Sequence, residues 1–148
     1  MTRFTFRLES ILSIKVKLEE QARMEFAAAK VRLNEEEEKL TALKERKAAY
    51  EDELKKLYIG NIDVRMINST AQAIEVMESQ IKIQGFAVKR AEKQVELATN
   101  KLNTVMQERK SMEKLKENKF AEYMREYNEE ESKQTDELIS YQYGKVEE

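Results

Sequence analysis

The chain has 148 residues, with no Pro, three Gly, no Cys and no His. Its 27 basic and 29 acidic side chains are interleaved and leave a net charge of -2, too even a field to argue for nucleic acid. The missing Cys and His remove disulfides, thiol chemistry, the commonest general base and the commonest metal ligand.

The rest of the composition favours helix. Glu, Lys, Arg and Gln dominate the polar residues, Pro is absent and Gly is rare, so helices can run far without a break. A mean hydropathy of -0.77 suits helices that each bury one narrow stripe, and a thick globular core would need more apolar residues. The opening Met1-Thr2-Arg3-Phe4-Thr5-Phe6 lacks the apolar centre of a signal peptide, and no apolar run approaches the roughly 18 residues of a membrane span. A cytoplasmic protein with no direct membrane insertion is expected.

The first predicted element is a helix over about 5–58. Its heptad repeat places Leu12, Glu19, Phe26, Leu33, Leu40, Lys47 and Leu54 at a, and Leu8, Lys15, Ala22, Ala29, Glu36, Leu43, Tyr50 and Leu57 at d. Eleven of these fifteen are apolar, a sustained coiled-coil signal. Glu35-Glu36-Glu37-Glu38 points around most of a turn of this helix and reads as a solvated charge run.

Gly60-Asn61-Ile62-Asp63 is turn chemistry and predicts a loop over about 59–64. Tyr50, Tyr58, Ile62, Val64, Met66 and Ile67 gather apolar and aromatic residues around it. They fit either a binding surface or a cluster that closes the hairpin end. Ser69 and Thr70 are candidates to cap or loosen the next helix.

The second helix is predicted over about 65–143. Its a positions are Ile67, Ile74, Ile81, Val88, Val95, Leu102 and Arg109, and its d positions are Thr70, Met77, Gln84, Ala91, Ala98, Val105 and Met112. Eleven of these fourteen are apolar. At about 1.5 Å per residue the two helices would measure on the order of 80 and 115 Å. Folding back near residue 62 sets a against d wherever two residue numbers sum to 124. Large then meets small: Phe26 with Ala98, Ala22 with Leu102, Leu33 with Ala91, Ala29 with Val95. The polar layers place Lys15 opposite Arg109, Lys47 opposite Met77 and Glu36 opposite Val88. They read as snorkelling imperfections or as devices that fix register or loosen the seam for a partner.

Beyond about residue 119 the second helix has no partner left in this register. Phe120, Tyr123, Met124 and Tyr127, followed by Leu138, Ile139, Tyr141 and Tyr143, therefore form either a docking face or a frayed tail. The basic group Arg109, Lys110, Lys114, Lys116 and Lys119 is interrupted by Glu113 and Glu117. It fits a solvated face better than a site for an acidic partner. The expected fold is all-α: one domain over 1–148, a long antiparallel two-helix coiled-coil hairpin with an overhanging C-terminal helix. No phosphate loop, catalytic constellation, cofactor site or metal site is apparent, so a non-enzymatic interaction protein is expected.

Two segments carry a more specific resemblance. Phe4-Thr5-Phe6-Arg7-Leu8-Glu9-Ser10-Ile11-Leu12 with Lys15, Lys17, Glu19 and Glu20 resembles the start of the FliJ family of the bacterial flagellar type III export apparatus. Arg109-Lys110, Met112-Glu113-Lys114-Leu115, Glu122-Tyr123, Glu129-Glu130-Glu131, Lys133 and Asp136-Glu137-Leu138 resemble its end. The resemblance implies a hairpin similar to the coiled-coil part of a rotary ATPase gamma subunit. It implies binding to the hexameric export ATPase, to the cytoplasmic domain of the export gate and to export chaperones, in the service of protein transport and motility. The expected place is the cytoplasm, peripherally at the inner membrane, with the chain a monomer. By position, the gate-binding surface would include Leu43, Tyr50, Met66, Ile67, Asn68 and Val76. Where members often carry an aromatic after the loop, this chain has Thr70-Ala71-Gln72. The reading from residues alone, a coiled-coil spacer or homodimerising scaffold, is the alternative.

Overall fold

A computed structural model describes residues 2–146, the last of these by backbone alone. Helix α1 spans Glu9–Leu57 (49 residues) and helix α2 spans Val64–Val146 (83 residues), joined by one tight turn. They pack against each other as an antiparallel hairpin. The chain divides into two compact units, Met1–Glu20 with Thr104–Glu148 and Gln21–Asn103. In each unit a length of α1 lies against a length of α2.

The heptad assignment is obeyed in both units. The fourteen seam positions within α1, Leu8 just before it and all fourteen of α2 are buried or half-buried, the polar ones included. Ala22, Met77, Val88 and Ala91 are the most enclosed apolar side chains of the second unit, and Phe6 and Leu12 those of the first. Interhelical bridges fix the register. Glu25–Lys101 at 2.9 Å and Lys47–Glu78 at 3.5 Å lie in one unit, and Lys15–Glu108 and Glu9–Lys116, both at 2.8 Å, in the other. In each pair the residue numbers sum to within about two of 124. Exposed pairs of this kind add little stability, so the seam holds the helices together and the bridges mark its phase.

The ends of the helices have identifiable causes. Glu9 sits in the first turn of α1 and Lys55 and Lys56 in the last, each complementing the helix dipole. Gly60 turns the chain out of α1 at φ 81°, a left-handed conformation that glycine adopts without a Cβ clash. Asp63 caps α2: its carboxylate accepts the Arg65 N–H at 3.0 Å and the Met66 N–H at 3.4 Å. Ser69 and Thr70 therefore do not cap the helix, and Thr70 is instead buried at its d position.

Helix α1 begins at Glu9, four residues later than the periodicity suggests. Continued as a helix, the heptad would put Phe6 at b, on the solvent-facing side, and Phe4 on the flank at g. As a non-helical arm, the same residues bury Phe6 to 8% exposure and bring Phe4 onto α2. Burial of two aromatic side chains outweighs one extra turn of a fraying helix end.

Candidate interaction surfaces

In the unit formed by the chain ends, the arm packs along α2. The Phe4 ring meets Phe120 edge-on at 5.1 Å and lies 5.4 Å from Tyr123. Phe120 stacks on Tyr123 at 6.4 Å, and Tyr123 on Tyr127 at 6.3 Å. The Tyr123 hydroxyl donates to the Thr2 carbonyl at 2.7 Å, which fixes the arm to the helix. A shallow cleft runs between residues 2–8 and Leu115, Lys119, Glu122, Tyr123 and Glu126. The Tyr127 hydroxyl bonds to the Glu131 carboxylate, and that bond with the nearby negative charge holds its pKa above the ordinary phenol value.

This corrects the expectation that α2 is unpartnered from residue 119. Phe120 and Tyr123 are covered in part by the arm, Tyr127 leans on Tyr123, and Met124, like Phe120, stays partly open to solvent. The uncovered stretch starts later: residues 128–145 are exposed along their whole length, with Leu138, Ile139, Tyr141 and Tyr143 among them. Phe4 and Phe6 lie outside the surface expected from the repeat. Their signal is local: Phe-Thr-Phe alternates with period two and carries a β-branched residue, which is an extended pattern where the heptad assigns a helix start.

The polar seam layers turn out to be paired. Glu19, only 6% exposed, receives the Arg109 guanidinium, which also donates to Glu113 at 2.7 Å. These hydrogen bonds hold the Arg109 pKa above its ordinary value. The expected like-charge contact of Lys15 with Arg109 is avoided, because Lys15 reaches Glu108. Lys47 swings off Met77 to lie between Glu51 and Glu78. Glu36 bonds Gln84, whose amide also donates to the Glu36 carbonyl at 3.0 Å. That amide bond holds the Glu36 carboxyl below the usual carboxylate range. Each polar layer thus satisfies its charge locally, and such layers favour one register over a slipped one. The basic group behaves in the same way, with Lys114 beside Glu117, Lys116 beside Glu9 and Lys119 beside Glu122.

The tip belongs to the other unit. Of the residues placed there, Leu43, Tyr50 and Ile67 are half-buried seam positions, while Met66, Asn68 and Val76 are exposed. The six therefore do not form one outward face: half of them hold the helices together. The loop shows a different face. Tyr58, Ile59, Ile62 and Val64 are 60%, 78%, 61% and 64% exposed, so they do not close the hairpin end as a small core would. Ile59 falls just past the last heptad position, where the repeat gives no signal. Among the described residues no group of acidic side chains is arranged to hold a metal, and no helix is long and apolar enough to cross a membrane.

An antiparallel helical hairpin with paired polar layers, an aromatic arm contact and an apolar tip defines a protein built to present surfaces. A family profile described as the flagellar FliJ protein matches residues 4–148, nearly the whole chain. The chain belongs to the FliJ family and is a component of the flagellar export apparatus. No curated protein and no solved structure matches it.

Proposed function

We propose that this chain is a non-enzymatic stalk and escort of the flagellar type III export apparatus. It binds the hexameric export ATPase, the cytoplasmic domain of the export gate and export chaperones, and so couples ATP hydrolysis to protein export. Its place is the cytoplasmic side of the inner membrane, held there through its partners. The observation that carries this reading is the family match over 4–148 on an antiparallel two-helix hairpin.

The surfaces fit the roles unequally. Met124 and Tyr127, with Phe120 and Tyr123 beside the arm, form an apolar strip on α2 suited to a helical or grooved protein partner. At the other site, Met66, Asn68 and Val76 are accessible to the gate. Leu43, Tyr50 and Ile67 act there by holding the two helices that display them. Within each unit the two helices are locked along a packed seam and move together, which is what a coupling element requires.

Pull-down of the full chain with the hexameric ATPase, combined with a hydrolysis assay, tests the reading. Binding together with altered ATPase turnover is expected. Absence of both across salt and nucleotide conditions contradicts it.

A further inference from the structure

The loop between the helices carries a feature that the proposed function leaves largely unused. Tyr58, Ile59, Ile62, Val64 and Met66 crowd five bulky apolar or aromatic side chains into nine residues, all of them exposed. Loops at a turn are ordinarily polar, and an exposed apolar patch of this density marks an interaction. The charge around it is also unlike the rest of the chain. Between Glu53 and Glu75 the one acidic residue is Asp63, against Lys55, Lys56 and Arg65. The Asp63 carboxylate is already engaged by the backbone N–H groups of Arg65 and Met66. The loop region is thus net positive in a chain whose net charge is -2.

We propose that this loop docks on an anionic lipid surface. Ile59, Ile62 and Val64 enter the headgroup and upper acyl region, Tyr58 sits at the interface, and Lys55, Lys56 and Arg65 lie against lipid phosphates. Three properties favour this occupant. Apolar side chains on a turn need no matching groove in a fluid interface. Tyrosine is enriched at the membrane–water boundary, where its ring is sheltered and its hydroxyl is wet. Basic residues flanking an apolar insertion add attraction to anionic lipid, while the rest of an acidic chain is repelled. The contact is peripheral and reaches only headgroup depth, so it does not conflict with the lack of a membrane-spanning helix among the described residues. It goes beyond the export reading and does not depend on the ATPase contact.

The chain has no Trp, so Tyr58→Trp supplies a unique reporter in the full-length protein. Vesicles of phosphatidylglycerol and phosphatidylcholine in equal parts are expected to shift its emission to the blue and to co-sediment the protein. Pure phosphatidylcholine vesicles and high salt are expected to abolish both effects. The double substitution Ile59→Asp with Ile62→Asp is expected to lower anionic-vesicle binding by about tenfold or more, since each places a carboxylate where an apolar side chain enters. Both positions are exposed, so helicity by circular dichroism is expected to stay unchanged. An indole emission in the Tyr58→Trp variant that anionic vesicles do not move overturns the proposal. So does vesicle binding that the Asp pair leaves intact, which would place the contact elsewhere on the chain. Loss of binding to the isolated gate domain in the Asp pair, with no vesicle binding by the parent chain, would make the loop a protein surface and also overturn it. Failure of this test leaves the ATPase reading untouched, because the pull-down scores a protein partner in the absence of lipid.

Discussion

Ala22 is 1% exposed, the most enclosed of the buried side chains, and the register sets it against Leu102. The Glu25–Lys101 bridge at 2.9 Å lies one turn away and pins that phase. Ala22→Leu adds three carbons at a position that is already closed to solvent. Overpacking of this kind typically costs about 1–3 kcal/mol. Leu102→Ala removes the same three carbons from the facing, half-buried position and costs about 2–3 kcal/mol, the lower part of the range for a leucine truncation because water reaches this seam. Swapping the two residues restores the volume of the layer. The double variant is therefore expected to lie within about 1 kcal/mol of the parent, where simple addition gives a loss of about 3–6 kcal/mol. For a chain of this length each kcal/mol moves the melting temperature by about 2–4 °C, so thermal melts followed by circular dichroism resolve the difference. Additive losses in the double variant would show that these two residues do not share a layer and would refute the register.

The other predictions bear on the arm, the cap and the polar seam. Phe4→Ala removes two ring contacts and is expected to cost about 1–3 kcal/mol locally; hydrogen exchange should show protection lost around residues 2–8 and 119–126 and retained in the seam near Met77. Asp63→Ala removes the one carboxylate oxygen that accepts both cap hydrogen bonds and is expected to lower stability by about 1 kcal/mol, with Asp63→Asn retaining most of it, both read by urea melts. Glu36 has a folded pKa below its unfolded value of 4.5, so its contribution is complete above that value and is lost as pH falls through the lower folded value. Glu36→Gln is accordingly expected to melt below the parent at neutral pH and level with it in acid; an offset equal at both pH values would contradict the Gln84 contact as its source.

The seam was legible in the sequence because a repeat of 3.5 residues has one physical solution, and all of its positions proved buried or half-buried, even Glu19, Lys15 and Glu36. What the repeat did not carry was the partner of each polar side chain. Arithmetic sets Lys15 and Arg109 opposite each other, but long flexible side chains reach a residue to either side, and each found a carboxylate. The arm was illegible for a related reason. Heptad counting continues through Thr5 and Leu8 without registering that Phe6 would be stranded in water, and the competing burial on α2 lies more than a hundred residues away in sequence. At the tip, apolar residues are visible in the sequence, but two outcomes, closure or display, share the same composition. Exposure of Ile59 and Ile62 in the folded chain separates them. For the six residues expected at a gate-binding surface, the heptad itself already places Leu43, Tyr50 and Ile67 in the seam. Position within the family draws them together with Met66, Asn68 and Val76, which are exposed.

The pairing of the two helices within one chain is open to a direct check, because the protein contains no cysteine to interfere. Glu25→Cys with Lys101→Cys replaces an exposed bridge between α1 and α2 with two thiols. A short bis-maleimide at low concentration, which spans the gap the two long side chains filled, is expected to join the thiols within one chain and leave a species at the 17.5 kDa monomer mass on a denaturing gel and in light scattering. A covalent dimer as the main product would mean that the helices pair between chains, and the hairpin account would be wrong.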